Sequence, residues 1–261
     1  MEIDVLLSTM HQEDMSIINK MNISGNAIII NQCNYNNFIE NNEKNRNIKM
    51  YSFNERGIGL SRNTALMRST ADICILADDD VVYSDIYQKL VLDAFENNPK
   101  ADVIVFNVPS QNEDRKGPKK IKKNARVNYL NCMRYGAFNI AFKRESVIKA
   151  NISFSLLFGG GAKYSAGEDT IFLFECLKKG LKIYQNTAQL GIVSHEESTW
   201  FKGYNKKYFY DRGVLYATLT KKLSFLLILQ YAIRKYHLYK NDLKLTTAIK
   251  YMIEGRRNFL L

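Results

Sequence analysis

Short apolar runs alternate with segments of helical period along most of the chain. Ile3 to Leu7 reads as a buried strand, and Met15, Ile18 and Met21 mark a helix within Gln12 to Asn22. Ala27 to Ile30 is a second strand, followed by an Asn-rich loop over 31–47. A weaker strand at Lys49 to Phe53 precedes Leu60, Thr64, Met67 and Ala71, which share one face of a short helix. ICILA, residues 73–77, is a strong strand, and Ile86, Leu90, Val91 and Ala94 line a helix that stops before Pro99. Asp102 to Val108 is a further strand. This βαβα rhythm predicts an α/β fold with a mostly parallel sheet flanked by helices, the class in which ligands sit at the carboxyl ends of the strands.

Beyond Val108 the pattern loosens. Gln111 to Asn128 has no apolar period and reads as a long surface loop of the kind that carries function. GAFNIAF then predicts a strand, RESVIKA a short helix and FGGGAKYSAG a flexible loop. Asp169 to Lys179 is a helix with Gly180 as its stop, and LKIYQN a closing strand. After His195 the composition changes to Tyr, Phe, Leu, Lys and Arg. The expected organisation is therefore one α/β domain over residues 1–199 and a helical extension over 200–261.

Charge sharpens that division. The chain has 37 Lys and Arg against 26 Asp and Glu, a net charge of +11. Residues 1–199 hold 24 basic and 23 acidic side chains, and 200–261 hold 13 and 3, so the surplus lies in the extension. A basic, aromatic-rich tail suits an anionic membrane surface, and no nucleic-acid motif accompanies it. The longest largely apolar stretch, Leu223 to Ile233, is 11 residues, short of the roughly 20 that span a bilayer. Four cysteines without a C-x-x-C pair, beside three His, argue against a zinc site or disulfide framework. MEIDVLLSTM lacks the basic segment and long apolar core of a signal peptide. The expected location is cytoplasmic, with peripheral contact at the inner face of the cell membrane.

ICILADDDVVY places Asp78, Asp79 and Asp80 at the carboxyl end of a buried strand. Two such carboxylates ~5 Å apart repel by ~3 kcal/mol at an effective dielectric of 20, so something must offset the charge. A hard divalent cation shared with phosphate oxygens would do so; a solvated acidic turn capping the next helix is the alternative. Sixteen residues before Asp78 stands Arg62, near the start of a helix. There it adds positive charge to backbone donors that could face a diphosphate, or forms a surface pair with Glu55 or Asp72.

The stretch ERGIGLSRNTALMRSTADICILADDD resembles the family 2 glycosyltransferases of the GT-A fold. Gly59, Ser61, Arg62 and Asn63 match that family's helix start, and Asp78 and Asp80 its Asp-x-Asp tip. A second match, GGGAKYSAGEDTIFLFE, aligns Glu168 and Asp169 with the Glu-Asp pair that opens a later helix. The resemblance covers roughly residues 3–199. It implies an inverting transfer of sugar from a UDP- or dTDP-sugar to a hydroxyl of a glycan or lipid-linked acceptor, in surface polysaccharide synthesis.

The implied roles follow residue by residue. Asp169 would be the base and Glu168 would orient the acceptor. Asp78 and Asp80, with His195, would hold manganese or magnesium. Thr9, Gln32, Gly59, Arg62, Asp78 and Asp79 would bind the nucleotide sugar. The sequence departs from the family at Ser8-Thr9-Met10 and Asn31-Gln32-Cys33, where neutral amides replace an acidic base-contacting turn. Two rivals remain at this point: a sugar-phosphate nucleotidylyltransferase, which would want a Gly-rich loop that STMHQED lacks, and a basic membrane- or nucleic-acid-binding module without catalysis.

Overall fold

A computed structural model describes residues 1–43, 46–111, 120–194, 201 and 203–260. The described parts of Met1–Leu156 and Glu168–Glu196 form one compact unit, and those of Leu157–Gly167 and Glu197–Leu261 a second.

The first unit is built on β1 (Ile3–Met10), α1 (Ile17–Lys20), β2 (Asn26–Gln32), β3 (Asn37–Glu43), β4 (Arg46–Phe53), α2 (Ile58–Arg68), β5 (Ile73–Asp78), β6 (Val81–Tyr83), α3 (Tyr87–Glu96) and β7 (Val103–Asn107). β8 (Ala125–Arg126), β9 (Ile140–Lys143), α4 (Arg144–Lys149), α5 (Glu168–Lys178), β10 (Ile183–Gln189) and β11 (Gly191–Val193) complete it. Nine strands form one sheet in the order β3-β4-β2-β1-β5-β9-β7-β10-β8, and β6 pairs with β11 separately. β1 lies beside the central strand β5, and its alternate residues bury on opposite faces. Val5 and Leu7 join one core with Ile29 and Ile75, while Leu6 joins the other with Ile30 and Leu76. Burial on both faces is why these strands read as continuous apolar runs.

The chain runs from β1 outward to β2 and β4, then returns through α2 to place β5 on the other side of β1. That reversal opens a crevice at the carboxyl ends of β1 and β5. Register brings Met10 beside Gln32, Gln32 beside Phe53, and Ser8 beside Asp78.

Several expectations change. Six of the nine strands run in one direction, as expected, but the sheet is mixed: β9 is antiparallel to both β5 and β7, and β3 and β8 are antiparallel at the edges. The Asn-rich segment contains β3, whose polar side chains suit an edge strand. The helix expected over Gln12 to Asn22 shrinks to α1. Gln12 is tied to Asn31, and the Asp14 carboxylate accepts the Ser16 N–H at 2.8 Å, so both backbone segments are turned out of the helix. Ala137–Asn139 forms a 3-10 turn, delaying β9 to Ile140. Within the expected loop of 111–128, residues 112–119 lie outside the described ones and Ala125–Arg126 is a strand.

The second unit holds α6 (Lys206–Leu219), α7 (Ser224–Tyr239) and α8 (Leu245–Leu260). α6 begins at Asn205, whose side chain accepts the Tyr208 N–H. α6 and α8 cross at two glycines: a Cβ on Gly213 would lie 1.9 Å from the Met252 carbonyl oxygen, and one on Gly255 2.2 Å from that of Tyr210. The segment 157–167 belongs with these helices because buried Asp211 accepts the Ser165 N–H and hydroxyl at 3.0 and 2.9 Å. Among the described residues, no helix is long and apolar enough to cross a membrane.

Candidate active site

The four residues of the helix-start motif each hold a different neighbour. Gly59 runs under residue 155, where a Cβ would meet the Ser155 carbonyl oxygen at 2.2 Å. The Ser61 hydroxyl donates to Ser8 Oγ at 2.8 Å, linking α2 to β1. The Asn63 amide takes the Phe154 N–H at 2.7 Å and donates to its carbonyl at 2.9 Å. With its neighbours so anchored, α2 aims Arg62 inward, where it is 3% exposed.

Arg62 joins the two acidic motifs. Its Nη2 donates to Asp78 Oδ1 at 2.7 Å and its Nη1 to Glu168 Oε1 at 2.8 Å, 106 residues apart from it in sequence. Its guanidinium lies 5.7 Å from the Phe154 ring centre. Burial alone would lower its pKa, but the charges of Asp78 and Glu168 reverse that and hold it above the ordinary value. The surface pair with Glu55 or Asp72 is not what forms.

Asp169 is the third carboxylate around this one cation. Its Oδ1 accepts the Thr170 N–H at 2.6 Å at the start of α5, and the residue is half-buried. It makes no ion pair among the described residues. Burial, then the Glu168 charge, push its pKa up to about 7 against the pull of Arg62. One guanidinium cannot compensate three carboxylates, and Asp169 is the one that Arg62 does not pair with directly. A carboxyl group titrating near neutrality suits proton abstraction.

The rest of the acidic tip is also tied. The Thr9 hydroxyl donates to Asp79 Oδ2 at 2.7 Å and accepts from the Gln12 amide at 3.0 Å. The Asp80 carbonyl accepts the Ser194 N–H at 2.8 Å and its hydroxyl at 3.1 Å. His195 lies outside the described residues. Among those described, no three His, Cys, Asp or Glu converge as a metal cage. What the tip offers is a partial set of hard carboxylate oxygens, which fits a cation that takes its remaining ligands from phosphate and water.

Gln32 ends β2 on the same edge as Thr9, and its side-chain amide has no hydrogen-bond partner among the described residues. Its neighbour Asn31 is spent internally: it accepts the Gln12 N–H at 2.9 Å and donates to the Gln12 carbonyl and to Ser52 Oγ. Arg56 fixes the following turn through the Cys33 carbonyl and Asn34 Oδ1. Sequence reading singled out neither Gln12, Arg56 nor Ser194. Each has a partner 19 or more residues away, Asn31 for Gln12, Cys33 for Arg56 and Asp80 for Ser194, and no local pattern marks those contacts.

Residues 27–148 match the family model described as glycosyl transferase family 2. Among curated proteins none matches the chain. Solved structures of S. aureus TarS are similar to it throughout. TarS 1–349 in complex with UDP-GlcNAc gives a TM-score of 0.70 at 14% identity, covering 100% of this chain and 81% of that one. TarS 1–349 alone gives 0.66 at 12%, covering 98% and 81%, and a longer TarS chain 0.65 at 13%, covering 98% and 49%. At such identities the likeness establishes the fold, a mixed Rossmann-like sheet with helices appended.

Proposed function

We propose that the chain is a family 2 glycosyltransferase of the GT-A fold, and that Asp169 is the base of an inverting transfer from a nucleotide-diphosphate sugar to an acceptor hydroxyl. The observation that carries the assignment is the half-buried Asp169, its carboxyl raised to about 7 beside the Arg62-Glu168-Asp78 cluster. The ionised carboxylate takes the hydroxyl proton as the acceptor oxygen bonds to the anomeric carbon. The bond from that carbon to the diphosphate breaks on the opposite face, and the nucleoside diphosphate leaves with the electron pair. Glu168, anchored by Arg62, orients the acceptor. Arg62 also fixes Asp78 beneath the diphosphate, and Thr9 and Gln32 line the nucleotide end of the crevice.

The donor is a UDP- or dTDP-sugar, with UDP favoured by the likeness to a chain solved with UDP-GlcNAc. A neutral Gln32 amide can pair with a pyrimidine edge through both donor and acceptor. Asp80, with Asp78, would hold a manganese or magnesium ion, which supplies Lewis-acid stabilisation of the leaving diphosphate. The test is nucleotide release and donor affinity with and without divalent metal. Asp80→Ala should weaken donor binding, and added manganese should partly restore it. Donor affinity indifferent to a chelator would overturn the metal assignment.

The acceptor is a glycan or lipid-linked saccharide of surface polysaccharide synthesis, presented at a membrane surface. Leu223, Phe225, Leu226 and Ile233, in and just before α7, are 45–65% exposed. Exposed Lys221, Lys222, Arg234 and Lys240 accompany them, and α7 has no acidic residue. That combination fits an anionic bilayer.

A further inference from the structure

Arg212 poses a charge problem that the transfer chemistry does not use. It is half-buried on α6, with its guanidinium 5.4 Å from the Tyr208 ring centre and 5.1 Å from that of Tyr231 on α7. Its Nη2 donates to Tyr208 Oη at 3.2 Å, and the described residues give it no other hydrogen bond and no carboxylate. Arg62, by contrast, has two. The acids of the extension are engaged elsewhere or apart: Asp211 by Lys207, Glu254 by Lys206, and Asp242 in no ion pair among the described residues.

The tyrosines cannot supply the missing anion. Burial pushes the Tyr216 hydroxyl up to about 12 despite the pull of Arg212, and burial likewise raises Tyr231. Tyr216 and Tyr231 are therefore neutral at physiological pH, and the Tyr208 and Tyr231 oxygens lie 2.5 Å apart. Beside them the half-exposed Phe201 ring stands edge-on to Tyr208 at 5.7 Å. A guanidinium whose one hydrogen-bond acceptor among the described residues is Tyr208 Oη, flanked by hydroxyls and open aromatic surface, has the donor set of an oxyanion receptor.

We propose that Arg212, Tyr208 and Tyr231 form a seat for a phosphate group, with Phe201 as an apolar wall for the organic part of the same ligand. Within the transferase reading, the group is a phosphodiester or phosphate carried by the acceptor. That identification rests on the transferase reading, whereas phosphate binding itself does not, so the two can fail separately.

The test uses the full chain with UDP and manganese present to fill the nucleotide site. Glycerophosphoglycerol is titrated as a soluble phosphodiester, and phosphatidylglycerol vesicles present the same head chemistry in a bilayer. Arg212→Gln should weaken glycerophosphoglycerol binding at least tenfold with UDP affinity unchanged, and Arg212→Lys, which keeps charge but not the planar fork, should fall between. A loss confined to vesicles assigns the phosphate to a lipid headgroup, and a loss in both to a phosphodiester of the acceptor. Should Arg212→Gln not fold, Tyr231→Phe, which keeps the ring and removes one hydroxyl, should still weaken binding several-fold. Equal binding of both probes by wild type and a folded variant, or no binding of either by wild type, overturns the seat.

Discussion

Arg62 meets three carboxylates with one charge, and the imbalance falls on Asp169. The consequence can be read in stability without any substrate. The folded protein holds Asp169 protonated up to about pH 7, whereas an unfolded chain ionises it near 3.8. The stability this proton favours is fully present below pH 4 and is lost as pH rises through 7. Asp169→Asn should therefore melt with wild type at pH 4 and above it at pH 8, the gap opening between those values. A variant that melts at or below wild type at pH 8 contradicts the raised pKa. Residues of this kind were legible when they stood in local runs: ADDD after a strand and GED before a helix can be seen in a few letters. The Arg62 contact to Glu168 spans 106 residues and the Asn31 contacts 19 and 21, so no local pattern could reveal which partners the buried groups would find.

At the scale of elements, α7 carries the clearest consequence. A helix with Leu226 and Ile233 60% and 65% exposed, among basic residues and without an acid, leaves apolar area in water that a bilayer could cover. Replacing both by Glu should lower flotation with phosphatidylglycerol vesicles by about tenfold or more, since each buried side chain is worth roughly 1.5–3 kcal/mol. Unchanged flotation would place the face elsewhere in the protein's function. Periodicity gave the buried strands and α3 readily because their apolar faces are nearly complete. It missed β3, an edge strand in which five of seven residues are Asn or Glu, held chiefly by pairing with β4. It also overextended α1, where side-chain bonds to the backbone outcompete the first helical turns.

Across the whole molecule, the alternation of strands and helices was enough for the α/β class, but not for strand direction. β9 enters between β5 and β7 from a segment with no helical crossover before it, and that placement makes the sheet mixed. The reversal of strand order at β1 is what sets Ser8 beside Asp78 and lets α2 deliver Arg62 between the acidic tip and α5. Proton abstraction at α5 is the claim on which this arrangement converges. The direct measurement is single-turnover sugar transfer by Asp169→Asn beside its affinity for the same nucleotide sugar. The expected result is a rate lower by about 10²–10⁴ with donor affinity essentially unchanged. Transfer at the wild-type rate by the Asn variant would contradict Asp169 as the base.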